Sequence, residues 1–249
     1  MLINHKLILA RNLSNNFNNN CLYRMTNLFE CITKNDFLKF INNPCKESNR
    51  NFRKDFIIFI FLTVLNFLVL FLKSFYTNEP FIEESDLTLF NIEKIFPYLI
   101  LIPFIEEFSF RGFLRFKNIK IFIFSVLAVI ILLATFIKVD IYRNSSIIVL
   151  TILTCFIYFQ NHLYEKLVLF INENLKYLIW ISSIIFGLMH LLNFHDFKFI
   201  NLIGITEKII AGLFFCYITR KYNIFYSFFF HALNNSLPFL IIIAYKLIT

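Results

Sequence analysis

Between Ile119 and Ile137 the chain reads IKIFIFSVLAVIILLATFI. An α-helix rises about 1.5 Å per residue, so a run of this length can cross the roughly 30 Å hydrocarbon core of a bilayer. Comparable blocks are Phe56–Leu72, Phe96–Phe113, Ser146–Phe159, Tyr177–Phe194, Phe199–Ile218 and Ile224–Ile243. The Ser146 block is short, and Thr206, Glu207 and Lys208 interrupt the Phe199 block. Lipid offers no partner to a backbone N–H or C=O, which limits spanning elements to helices or closed barrels. The expectation is an all-α fold: a polytopic membrane helical bundle of about seven transmembrane helices.

Composition supports this. The chain is 58% hydrophobic and 16% charged, with mean hydropathy +0.68, against roughly 25% charged residues in an ordinary soluble domain. The 36 Phe residues and the many Ile, Asn and Lys have A/T-rich codons, so most Phe and Asn are read as composition bias and lipid contact. Cys21, Cys31, Cys45, Cys155 and Cys216 show no CxxC or Cys/His metal spacing and are read as free thiols.

The net charge of +8 is uneven. Residues 1–54 carry Lys6, Arg11, Arg24, Lys34, Lys39, Lys46, Arg50, Arg53 and Lys54 against Glu30, Asp36 and Glu47. A basic flank beside a span suits an anionic cytoplasmic leaflet, not nucleic acid. No apolar h-region of a signal peptide follows Met1, and Met25 is an alternative start. The expected organisation is a basic N-terminal cytoplasmic segment, 1–54, and a transmembrane domain, 55–249. The loop 74–95, with Glu79, Glu83, Glu84, Asp86 and Glu93, is then outside, and Arg115, Lys117, Lys120, Arg220 and Lys221 are inside.

Charge inside the spans is the informative exception. FIEE occurs twice. At 81–84 it continues SDLTLFN in a polar loop; at 104–107 it continues FSFR halfway along a span. An ionisable residue at that depth is expensive unless paired or solvated, and so marks a functional site. Glu107 and Arg111 are spaced i,i+4 and can pair, whereas Glu106 points about 100° away around the helix. His190 closes FGLMH at 186–190, where Gly187 permits close helix approach. His231 and Asn235 share a face within HALNN, with Asn234 as an alternate amide. Structural hydrogen bonding and ion pairing would account for each cluster alone. Together they supply carboxylate, imidazole and amide, the groups that activate water and stabilise an oxyanion.

EEFSFR at 106–111, FGLMH at 186–190 and HALNN at 231–235 follow in order the EExxxR, FxxxH and HxxxN pattern. In this the chain resembles the CAAX-protease-like and bacteriocin-processing (CPBP or ABI) family of intramembrane proteases, over a core of about 96–240. The resemblance implies a peptidase with Glu106 as general base, His190 holding the water, and His231 and Asn235 forming the oxyanion hole. Glu107 and Arg111 would be the orienting pair. An older reading of the family implies zinc, held here by Glu106, His190 and His231, although no HExxH is present. The implied partners are the lipid bilayer and a membrane-associated peptide or protein, lipidated or bearing a leader. The implied location is multi-pass in a membrane, a bacterial cell membrane on the leader-peptide theme.

Two other classes compete. A non-catalytic immunity or scaffold protein could keep the fold, but every motif residue is present. A proton-coupled transporter would show internal repeats, and none is visible. Neither GxSxG nor GxGD occurs. Two features depart from the family pattern: a glycine-free apolar stretch, 116–160, between the first two motifs, and the charged interruption at Glu207 and Lys208.

Overall fold

The computed structural model describes residues 36–44, 50–77, 96–193 and 201–248. Two compact units are distinguished, Met1–Lys46 and Glu47–Thr249. The first contributes α1 (Asp36–Asn42). The FIEE copy at 81–84, most of the acidic loop, and Cys21, Cys31 and Cys45 lie outside the described residues. Cys155 and Cys216 are free thiols, as expected.

The second unit is an all-α membrane bundle. Its helices are α2 (Phe52–Thr77), α3 (Ile102–Arg111), α4 (Ile119–Phe136), α5 (Asp140–Phe159), α6 (Asn161–Glu173), α7 (Leu175–Met189), α8 (Asn201–Lys221) and α9 (Ile224–Ile248). Several begin at an asparagine whose side chain meets the orphan N–H groups of the first turn. Asn51 accepts from Lys54 N–H at 3.2 Å, Asn118 from Lys120 N–H at 3.0 Å, and Asn223 from Phe225 N–H at 2.9 Å. Those asparagines have a structural role beyond composition bias.

The expected count of seven spans is not reached among the described residues. Among the described residues four helices are long and apolar enough to cross a membrane, and a bent pair, α6 with α7, makes up to five. The block expected at Tyr177–Phe194 is α7, which meets α6 at 84° across Asn174. α6 has charge on one side and Leu, Val, Phe and Ile on the other, the pattern of an interfacial helix. The Phe96–Phe113 block is not one α-helix. It comprises a π-helical turn at Pro97–Leu101, α3, and a 3₁₀ turn at Gly112–Arg115. Pro103 has no N–H for an i→i−4 bond, and just before it Ile102 N–H reaches back five residues to the Pro97 carbonyl.

α8 runs unbroken through Thr206, Glu207 and Lys208. It is the most buried of the candidate spans, and it packs on α7, α9 and α2. The expected interruption does not occur because Glu207 and Lys208 pair at 3.3 Å and Thr206 Oγ1 donates to the Leu202 carbonyl. α3 packs on α4 and α9. α4 and α5 are the two spans that the stretch 116–160 puts between the first two motifs, and no residue of α5 is buried. Exposed Ile, Val, Leu and Phe along α2 and α5 are what lipid-facing surfaces require.

Gly187 and Gly212 lie on the facing sides of α7 and α8. A Cβ at Gly187 would come within 2.5 Å of Ile209 Cγ1 and 3.1 Å of the Ile205 carbonyl. A Cβ at Gly212 would press on Ser183 at 3.2 Å and on the Arg111 guanidinium at 3.3 Å. Small residues bring these two backbones together, as in many membrane helix pairs.

Candidate active site

Glu107 is the hub of the buried charge. Its side chain and that of Arg111 are both 0% exposed, with Arg111 NH1 3.2 Å from Oε1. The i,i+4 spacing on α3 supplies that pair. α9 supplies the rest: His231 Nδ1 lies 2.8 Å from the same Oε1, and Ser227 Oγ donates to Oε2. A carboxylate only accepts, so the Nδ1 proton of His231 is directed at Glu107. Ser227 precedes His231 by one turn, which puts both on the face of α9 turned toward α3.

The orientation of His231 then follows. Its Nε2 stands 3.4 Å from Glu106 Oε2. The order across the site is Arg111, Glu107, His231, Glu106. Glu106 keeps 15% of its side chain exposed while Glu107 keeps none. Adjacent glutamates on one helix thus have different surroundings, one enclosed by three partners and the other at the edge of the cluster.

Aromatic rings form the frame. Phe215 of α8 stacks on His231 with centroids 4.8 Å apart and planes 19° apart. Phe186 of α7 lies 4.1 Å from the Arg111 guanidinium carbon, and meets the His190 and His231 rings edge-on at 4.8 and 5.7 Å. Among the described residues the Arg111 nitrogens have no aligned hydrogen bond. Its charge is therefore held by the Glu107 ion pair and the face of Phe186, a strong contact where water is excluded. His190 closes α7, and its Nδ1 is 2.8 Å from the Phe186 carbonyl. A carbonyl only accepts, so Nδ1–H donates and Nε2 of the neutral ring is left as an acceptor.

The structure brings Glu106, Glu107, Arg111 and His231 into direct contact and sets His190 beside them across Phe186. Asn235 lies one turn beyond His231, half-buried. Among the described residues it makes no hydrogen bond to the cluster. Asn234 instead lines a cavity between α2, α8 and α9. Sequence reasoning missed Ser227 and Phe215. Ser227 could have been found from its i,i+4 spacing to His231, but nothing local marks Phe215 among so many phenylalanines.

The zinc alternative needs three of these side chains on one ion. Among the described residues no three His, Cys, Asp or Glu side chains form a group able to hold a metal ion. Glu106 and His231 meet, but His190 does not join them as a third ligand, so no step is routed through a metal.

A second buried ionic cluster ties α2 to the end of α8. Asp55 accepts from Tyr217 OH at 2.6 Å, Lys221 Nζ at 3.0 Å and Tyr222 OH at 2.6 Å. Nearby, Arg115 donates to the carbonyls of Thr219, Arg220 and Tyr222 at 2.8, 3.2 and 2.6 Å. A cation there satisfies the open carbonyls of the α8 terminus.

A helical membrane bundle with an acid–histidine cluster sealed among its helices defines the broad class. Residues 88–237 match the family model described as type II CAAX prenyl endopeptidase Rce1-like. That match covers more than half of the 249 residues and contains all three motifs, so the chain belongs to the Rce1-like family of membrane peptidases. No curated protein and no solved structure matches it significantly.

Proposed function

We propose that the protein is an intramembrane endopeptidase that hydrolyses a peptide bond of a membrane-associated substrate, lipidated or carrying a leader, using water activated by Glu106. The observation that carries this reading is the contact chain Glu107–His231–Glu106. Glu107 is committed to Arg111, Ser227 and His231, which leaves Glu106 as the carboxylate available to a reacting molecule.

In the proposed reaction Glu106 takes a proton from water as its oxygen attacks the scissile carbonyl carbon. His190 Nε2 accepts the water's other hydrogen and orients it. The carbonyl π pair moves onto oxygen, where Nε2–H of His231 and the Asn235 amide donate to the oxyanion. One such donor is typically worth about 10²–10³ in rate. The tetrahedral centre collapses, the C–N bond breaks, and Glu106 returns its proton to the leaving amine. Glu107 holds His231 by Nδ1 and balances the charge on the ring, while Arg111 holds Glu107.

The test is Glu106→Gln, which keeps the shape and cannot take a proton. Purified in detergent, this variant is expected to melt like the parent and to cleave a farnesylated CAAX peptide at least a hundredfold more slowly. A strong chelator is expected to leave the parent's rate unchanged. Normal cleavage by Glu106→Gln, or loss of activity on chelation with recovery on adding zinc, would overturn the mechanism.

A further inference from the structure

Serine inside a helix commonly returns its hydroxyl to the carbonyl one turn earlier. Ser109, Ser145 and Ser183 do so, at 2.8 Å from the carbonyls of Ile105, Ile141 and Ile179. Ser227 turns elsewhere. It is 0% exposed, and its hydroxyl reaches two other helices: Glu107 Oε2 on α3 and, at 3.0 Å, the Phe215 carbonyl on α8. A hydroxyl has one proton to give. A carboxylate is the stronger acceptor, so that proton rests on Glu107.

The partners of Glu107 divide into one that supplies charge and two that supply direction. Arg111 NH1 is 3.2 Å from Oε1, but among the described residues the guanidinium makes no aligned hydrogen bond. It balances the carboxylate without fixing its rotation. The last torsion of a glutamate is broad, so the bond from His231 Nδ1 to Oε1 at 2.8 Å leaves the plane of the group undetermined. Ser227 holds the second oxygen. Two directed bonds on two oxygens define the plane. Both come from one face of α9, because Ser227 and His231 are one turn apart. α8 closes the circuit: the Phe215 carbonyl lies beside the Ser227 hydroxyl, and the Phe215 ring stacks on His231 at 4.8 Å.

We propose that Ser227 is a positioning residue: its hydroxyl fixes the plane of the Glu107 carboxylate, and through Glu107 the imidazole edge that His231 turns toward Glu106 and the oxyanion. The kinetic consequence rests on the peptidase reading, whereas the geometric one does not. His231 is held at Nδ1 and presents Nε2 to Glu106 at 3.4 Å. Rotation of the carboxylate would tilt that edge away from the charge that develops on the substrate oxygen. An interaction made only in the transition state affects the chemical step and not ground-state binding, so the loss belongs in kcat and not in KM.

The test compares Ser227→Ala, which removes the hydroxyl, with Ser227→Thr, which keeps it, on the full chain in lipid nanodiscs. With a farnesylated CAAX peptide as probe, Ser227→Ala is expected to lower kcat about 10- to 100-fold with KM held, and Ser227→Thr to restore most of the rate. An unchanged kcat in Ser227→Ala, or a loss confined to KM, overturns the proposal. The second arm needs no turnover. In a proton–nitrogen correlation spectrum of protein labelled at the histidine ring nitrogens, the parent is expected to show a low-field Nδ1–H resonance that is absent from His231→Gln. Ser227→Ala is expected to shift or broaden it, and Ser227→Thr to keep it. An identical resonance in Ser227→Ala and the parent overturns the proposal even where activity falls. If the parent does not cleave the probe, the peptidase reading fails for this substrate, and the spectral arm alone decides whether Ser227 orients the ring.

Discussion

His231 Nδ1 lies 2.8 Å from Glu107 Oε1, a contact that joins the first and third motifs across 124 residues of sequence and fixes which edge of the imidazole meets Glu106.

Glu107→Gln should damage the protein twice. The amide cannot balance Arg111, and with one acceptor oxygen it cannot receive both His231 Nδ1–H and the Ser227 hydroxyl. Removing one partner of a buried ion pair costs about 3–5 kcal/mol. The expected result is a lower melting temperature together with lost cleavage, whereas Glu106→Gln loses cleavage alone. Equal stability of the two variants would mean that Glu107 is not the enclosed partner described here.

Arg111→Lys should fail to rescue. A lysine keeps the charge but not the planar guanidinium that lies 4.1 Å from Phe186. A desolvated cation–π contact contributes about 2 kcal/mol, so Arg111→Lys should unfold at lower temperature than the parent and Arg111→Ala lower still. Thermal unfolding in detergent, followed by intrinsic fluorescence, measures both.

Asp55 and Lys221 should be strongly coupled. Both are buried and 3.0 Å apart, so Asp55→Asn or Lys221→Met alone breaks a buried ion pair and should cost about 3–5 kcal/mol. The double variant should recover much of the loss, a coupling that a double-mutant cycle reads directly. Additive losses would show that Tyr217 and Tyr222, not the charges, join α2 to α8.

A reporter fused before Phe56 should signal from the cytoplasm and one inserted in the 74–95 loop from the opposite side, by the Lys/Arg asymmetry across these flanks. The Asp55–Lys221 contact already places the start of α2 and the end of α8 on one side of the bundle. Identical signals from the two reporters would contradict α2 as a span.

The class of this protein was legible in the sequence because hydrophobic runs are local. Ile119–Phe136 is a membrane helix by length and composition, whatever surrounds it. The Glu107–Arg111 pair was legible for a similar reason: helical geometry alone brings i and i+4 together. The ordered motifs carried the family, since they record residue types and order without needing contacts.

Tertiary structure decided what depends on partners from distant segments. Ser227, Phe215 and Phe186 gain their roles only when α9, α8 and α7 converge on α3. Glu207 and Lys208 read as a break in a span, yet their pairing and the packing of α8 make that helix central. The Asn234 carboxamide, one residue from the motif position, faces a cavity that does not exist until α2 arrives. Spacing along a chain sets which side chains share a helical face, but which face is buried, and against what, is set by the energy of packing one helix on another.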